Sequence, residues 1–111
     1  MNALRDRKCR PCPPGTPPLD PEQAAGLVAA LAPGWRIAED GRSLRRAFSF
    51  ADFYETMAFV NAVAWIANAE DHHPDLEVGY DYCRMTFSTH TVGGLSENDF
   101  ICAAKLDALG P

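Results

Sequence analysis

The sequence predicts an α+β fold of order α-β-β-α-β-β-α, a four-stranded antiparallel sheet with its helices packed on one face. Three observations carry that expectation. Apolar residues recur at helical spacing in three segments: near the start, in the middle and at the end of the chain. The two stretches between them alternate apolar and polar residues around turn-forming residues, as half-buried hairpins do. Helices separated by antiparallel hairpins then favour two packed layers around one core.

Residues 1–19 read as an irregular, proline-rich N-terminal arm, because Pro11, Pro13, Pro14, Pro17 and Pro18 exclude helix and central strand. Residues 20–111 read as one domain. Asp20 is a good N-cap, Pro21 suits the first helical position and Gln23 completes a capping-box spacing. Ala24, Leu27, Val28 and Leu31 share a face of this first helix, which Pro33 and Gly34 stop. Trp35 to Ala38 and Ser43 to Phe48 form a hairpin about Asp40-Gly41. In its second strand Leu44 and Phe48 share a face, with Arg46 between them.

The stretch "ADFYETMAFVNAVAWIANAEDHHP" is the longest helix. Phe53, Met57, Val60, Ala64 and Ala67 keep the rhythm of a buried face, and Phe59, Val63 and Ile66 widen it. Such a helix is covered on more than one side, by the sheet with a neighbouring helix or by a second subunit. Pro74 forces the chain out of the helix, leaving His72 and His73 at its exit. Leu76, Val78 and Tyr80 alternate, as do Met85 and Phe87, which gives a second hairpin with its turn in Tyr80 to Cys83. In the last helix Ser96 is the N-cap and Asp99 the third residue of a capping box, and Phe100, Ala103, Ala104 and Leu106 supply apolar surface. Gly110 and Pro111 end it.

A chain of 111 residues, 47% hydrophobic and 23% charged, fits one soluble domain with its own core. The net charge of −5 argues against non-specific nucleic-acid binding, which relies on basic surface. No apolar run approaches the roughly 18 residues of a membrane span, and the N-terminus lacks the apolar core of a secretory signal, so a cytoplasmic location is expected. Cys9 and Cys12 form a C-x-x-C pair, whereas Cys83 and Cys102 have no paired spacing. The pair precedes "PPGTPP" rather than opening a helix, so a reduced, non-catalytic place in the arm stands first. An adventitious or intersubunit metal contact and redox chemistry follow.

The three histidines, His72, His73 and His90, all fall within one short span. A turn centred near Asp81-Tyr82 sets Asp75 opposite roughly Ser88, and the open end of that hairpin carries His73-Pro74 beside Thr89-His90. Neighbouring strands lie about 4.8 Å apart, so the three imidazoles can converge. Three readings stay open: polar residues fraying a helix end, acid–base groups, or metal ligands. Adjacent residues point apart, which disfavours His72-His73 as a bidentate metal pair, while proton transfer at a bound substrate needs groups on different sides of it. Asp71 and Asp99 are candidate orienters of an imidazole, Asp99 keeping its capping role through its second oxygen. Gly93-Gly94, in the loop Thr91 to Leu95, lets backbone approach a ligand.

The stretch "EDHHPDLEVGYDYCRMTFSTHTVGGLSENDF" closely resembles the signature of the pterin-4a-carbinolamine dehydratase family: His-His-Pro, an aromatic after a short gap, Thr-His, then Gly-Leu-Ser/Thr with a downstream aspartate. The resemblance extends back to "LAPGW" and forward through the final helix. It implies removal of water from 4a-hydroxytetrahydrobiopterin, or a related tetrahydropterin, to give the quinonoid dihydropterin, with no metal or organic cofactor. By motif position His72 and His90 would be the acid–base groups. His73 would chiefly hold the pterin, with at most a share of the proton transfer. Pro74, Thr89, Thr91 and Val92 would line the site, and Asp99 would sit behind His90 as its partner. Where many members carry an acidic or otherwise charged residue, four positions before the first motif histidine, this chain has Asn68. The resemblance also implies a homodimer or homotetramer and an aromatic amino acid hydroxylase system served by pterin recycling. A dehydratase of pterin salvage or molybdopterin metabolism is the related possibility. Some relatives act instead as coactivators or assembly factors, and those assembly factors tend to lose the histidine set that this chain keeps.

Overall fold

A computed structural model describes residues 3–110. Met1, Asn2 and the Pro111 expected to help end the last helix lie outside the described residues. The elements run α1 (Pro21–Val28), β1 (Arg36–Ile37), β2 (Leu44–Ser49), α2 (Phe53–Glu70), β3 (Asp75–Val78), β4 (Tyr82–Phe87) and α3 (Glu97–Asp107). The strands form one antiparallel sheet of order β1-β2-β4-β3, so the two hairpins join through their second strands. This is the α+β architecture that the sequence predicts.

Side chains alternate across each strand, and in β2 and β4 the alternation separates core from solvent, whereas edge strand β3 is exposed throughout, with the expected apolar face of Leu76, Val78 and Tyr80 in solvent. Leu44 and Phe48 of β2 join Cys83, Met85 and Phe87 of β4 in the core, with Phe59 and Val63 from α2 and Phe100, Ile101 and Leu106 from α3. Arg45, Ala47, Ser49 and Arg84 point to the open face. The helices therefore cover one face only. Thr56, fully buried, places its hydroxyl 2.9 Å from the Asp52 carbonyl and 3.0 Å from that of Tyr80, which ties α2 to the second hairpin.

Several boundaries differ from expectation. The α1 capping box forms as anticipated, between Asp20 and Gln23, but the helix stops at Val28, before Pro33 is reached. The buried stripe of α2 is Thr56, Phe59, Val63 and Ala67, not the face through Phe53 and Ala64, which are exposed. Residues expected merely to widen the stripe are its centre, because both faces of the stripe satisfy the same helical period. The arm contains a short 3-10 turn, Leu4–Asp6, that buries Leu4. The β3–β4 turn sits earlier than expected: Asp75 pairs with Thr86, not Ser88, and Gly79 rather than Tyr80 leaves the strand. A Cβ at Gly79 would run into the Tyr82 ring, which fixes the tight turn there.

Arg46, flanked by Leu44 and Phe48 on the inner face, is compensated rather than expelled. Its guanidinium lies over Phe48, 4.4 Å from the ring centroid, and donates to Asp107 Oδ1 at 2.7 Å. Asp107 also accepts from Trp35 Nε1 at 2.9 Å and the Ala32 amide at 2.9 Å. One carboxylate thus links the end of α3 to the loop after α1 and the first hairpin. Asp107→Ala strips these donors of their acceptor and leaves a mostly buried cation, at a cost of about 3 kcal/mol. Thermal unfolding should then show Tm lower by about 10 °C or more, and an unchanged Tm would contradict this role. Among the described residues no helix is long and apolar enough to cross a membrane.

Candidate acid–base site

The site begins with the way α2 ends. Asp71 adopts the left-handed conformation, φ 52°, and caps the helix. The His72 amide donates to Ala67 O at 3.1 Å and the Asp71 amide to Asn68 O at 3.4 Å, the paired bonds of a Schellman ending. The helix therefore stops ahead of Pro74, and the two histidines follow the cap on non-helical backbone. Asp71 acts through this backbone cap, and its side chain is exposed; it is not the orienter that the sequence suggested.

His72 and His73 leave the cap in different directions. His72 Nε2 lies 2.6 Å from Asp99 Oδ1, whereas His73 Nε2 lies 3.3 Å from Asn68 Oδ1, back along α2. The His72 ring runs parallel to Phe87, 6.0 Å between centroids. Asp99 is fully buried, and every donor on it comes from a different part of the chain. Its Oδ2 accepts from the Ser96 amide and from the Thr89 hydroxyl, both at 2.9 Å. Since the Thr89 hydrogen goes to Asp99, the Ser96 hydroxyl donates to Thr89 Oγ1 at 2.8 Å. A buried carboxylate so surrounded is compensated and rigid.

The partner of Asp99 is thus His72, where the resemblance implied His90. The register explains the change. Continued past Asp75 and Thr86, the observed pairing sets His72 against Thr89. Alternation then turns the Thr89 side chain inward and exposes His90, which opens a 3-10 turn, His90–Val92. Gly93 closes that turn at φ 70°, and the Thr89 amide donates to Gly94 O at 2.8 Å, so the loop is held at both ends. Thr91 is exposed and Val92 buried. Pro74 is half-buried and borders a small apolar crevice with His72, Phe87 and Cys102. His72 is thus half-buried against Asp99, while His73 and His90 are exposed, at the two chain segments that continue β3 and β4. Ser96, Thr89 and Phe87 complete the setting of His72 and Asp99. Only the Ser96–Asp99 spacing gave a local signal of it. Among the described residues no three His, Cys, Asp or Glu side chains gather to hold a metal ion.

At the end of α2, Glu70 clamps the arm to the helix. Burial works to raise the pKa of this carboxyl, but the Cys9 amide at 2.8 Å, Lys105 at 3.6 Å and Lys8 outweigh it, so the pKa lies below the ordinary 4.5. The sign follows from a depressed folded-state value. The stabilisation is fully present above 4.5 and is lost as pH falls from there through the folded value. Melting curves between about pH 6 and pH 3 should therefore fall more steeply for wild type than for Glu70→Gln. Parallel curves would remove Glu70 from the acid transition.

Known proteins resemble this chain in sequence and in fold. The sequence profile of the family described as pterin 4 alpha carbinolamine dehydratase matches residues 17–109. A protein of Nitrosomonas europaea, named as a candidate pterin-4-alpha-carbinolamine dehydratase, is 58% identical over 96% of this chain and 92% of its own. A similarly named protein of Legionella pneumophila is 57% identical over 96% of this chain and 94% of its own. Among solved structures, a transcriptional coactivator/pterin dehydratase from Brucella melitensis superposes with TM-score 0.79 at 29% identity, over 85% of this chain and 99% of that one. A pterin dehydratase-like protein described as a RuBisCO assembly factor in the α-carboxysome gives TM-score 0.60 at 28% identity, over 68% and 88%. The chain belongs to the pterin-4a-carbinolamine dehydratase family.

Proposed function

We propose that this chain is a hydro-lyase that dehydrates a 4a-hydroxytetrahydropterin. The observation that supports it most is the His72 imidazole held by the buried Asp99, at a helix exit where His73 is exposed and with His90 exposed on the strand continuation opposite. Dehydration needs one proton delivered to the C4a hydroxyl, which leaves as water, and one withdrawn from N5. The C4a–O bond breaks, the C4a=N5 bond forms, and the quinonoid dihydropterin results. Two protons move at two places, so two positioned groups are required. Asp99 accepts the Nε2 hydrogen of His72 and leaves Nδ1 as the basic ring nitrogen, suited to take the N5 proton. His90, exposed at the start of the 3-10 turn, supplies the proton to the leaving hydroxyl. His73, held by Asn68, lines the pterin with Pro74 and the segment Thr89 to Val92. Asn68 thus serves as a neutral hydrogen-bond partner in a place where a charged residue was expected.

The 4a-hydroxy form of tetrahydrobiopterin, or of a related tetrahydropterin, is the substrate class, and a hydroxylation that produces this carbinolamine is the reaction upstream. The second reading is a binding factor of the same fold with little activity, which the likeness to the described assembly factor favours. Purified protein should convert 4a-hydroxytetrahydropterin faster than the spontaneous reaction. Conversion at only the spontaneous rate would move the binding reading ahead.

The chain is also proposed to self-associate. Tyr54 and Trp65 are 88% and 73% exposed and fall on one face of α2 with Ala58 and Asn61, a largely aromatic exposed stripe suited to a second copy. Light scattering should give a mass at least twice the 12.1 kDa of the chain, reduced by Trp65→Lys. A monomer at micromolar concentration would contradict this.

A further inference from the structure

The N-terminal arm is irregular in backbone but fixed in place. Lys105 Nζ donates to the Arg5 carbonyl at 2.9 Å, and Arg7 pairs with Glu97 at 3.0 Å. Asn98 holds both backbone groups of Arg10: its Oδ1 accepts the amide at 3.0 Å and its Nδ2 donates to the carbonyl at 2.7 Å. Cys9 sits between these anchors, its amide on Glu70. That arrangement brings Cys9 Sγ to 3.6 Å from Cys102 Sγ, although 93 positions separate the two in sequence. Cys12 is turned elsewhere, its sulfur 3.7 Å from Asn98 Nδ2 and 4.0 Å from the Arg10 carbonyl. The C-x-x-C pair is therefore split: one thiol faces a buried partner on α3, the other the arm's own surface. All four cysteines are free.

We propose that Cys9 and Cys102 are a redox modification site, forming a reversible disulfide that fastens the arm to the seam between α2 and α3 when a peroxide reaches the arm. A disulfide bond is about 2.05 Å long, so the sulfurs need to close by roughly 1.5 Å, within reach of small side-chain rotations. The order of events follows from exposure. Cys9 is half-buried and Cys102 only 1% exposed, so Cys9 meets the oxidant first. Its hydrogen bond with Cys9 and its burial push the Cys102 thiol well above the usual range, which keeps that sulfur protonated until its partner is activated. The Cys9 thiolate attacks one oxygen of hydrogen peroxide, the O–O bond breaks, and hydroxide leaves Cys9 as a sulfenic acid. The Cys102 sulfur then attacks the Cys9 sulfur, the S–O bond breaks, and the Cys102 proton departs with the oxygen as water. In sum, two thiols and one peroxide give one disulfide and two waters. A dithiol reductant returns the pair by exchange. Oxidation also removes the Cys102 hydrogen, and the sulfur that carries it lies 3.9 Å from the His72 carbonyl.

The test uses the full chain. Reduced protein is exposed to hydrogen peroxide, its remaining thiols are alkylated, and digested peptides are mapped by mass spectrometry beside a thermal melt. The expected product links the Cys9 peptide to the Cys102 peptide, reverses with dithiothreitol and raises Tm by about 10 °C. Cys9→Ser should lose both the link and the Tm shift, and Cys12→Ser should keep both. Cys9→Ser carries the test because Cys102→Ser, in the core, can fail to fold. A Cys9–Cys12 link as the main product, stable over-oxidation of Cys9 without a cross-link, or a one-to-one zinc content that blocks oxidation would each overturn the proposal.

Discussion

Asp99→Asn is expected to lower kcat for pterin dehydration by about 10²–10⁴ while the protein still folds. Asparagine nearly matches the aspartate in shape, so the effect is one of hydrogen-bond polarity. The Ser96 amide and the Thr89 hydroxyl both present hydrogens to Oδ2, and the asparagine oxygen must face them to keep the capping box. Its amide nitrogen then faces His72 Nε2, which has to turn acceptor. The ring proton moves to Nδ1, and the nitrogen proposed to take the N5 proton is blocked. Stopped-flow kinetics measures the loss, and ¹⁵N shifts of the His72 ring report the exchanged tautomer. Full activity with an exchanged tautomer would show that His72 Nδ1 is not the base.

His90→Ala is expected to lower kcat by about 10² or more, the usual scale for losing a general acid. It should leave Tm nearly unchanged. The His90 side chain is exposed, and the loop is held by backbone hydrogen bonds from Thr89 to Gly94 and from Gly93 to His90. This separation of activity from stability distinguishes His90 from Asp99, whose removal as alanine would cost both. Parallel melts and pH–rate profiles of wild type and variant check it, and an unchanged rate would remove His90 from the mechanism.

The parts of the fold that the sequence made legible are those with local causes. The Asp20 and Ser96 capping boxes rest on spacings of three residues, and the Asp40-Gly41 turn on a dipeptide suited to it. Where the signal is periodic and ambiguous, placement slipped. Nearly every face of α2 carries apolar residues, so the face through Thr56 and Phe59 could not be told from that through Phe53 and Ala64. The β3–β4 pairing slipped by two positions, a shift that keeps inward residues inward and so leaves no trace in the alternation. The Asp99–His90 pairing was implied by motif position alone, and the observed geometry sets His72, not His90, against the buried carboxylate. The arm was legible as irregular but not as docked: the contacts of Cys9 with Glu70 and Cys102 join residues 61 and 93 positions apart, beyond the reach of any local pattern.

The central claim is that the Asp99-held imidazole of His72 performs proton transfer on a pterin carbinolamine. It is tested most directly by the rate of 4a-hydroxytetrahydropterin loss with wild type and with His72→Ala at equal concentration. The account predicts a wild-type rate well above the spontaneous one and a variant rate lower by about 10² or more. Equal rates for the two proteins, or a wild-type rate no faster than the spontaneous reaction, would contradict it.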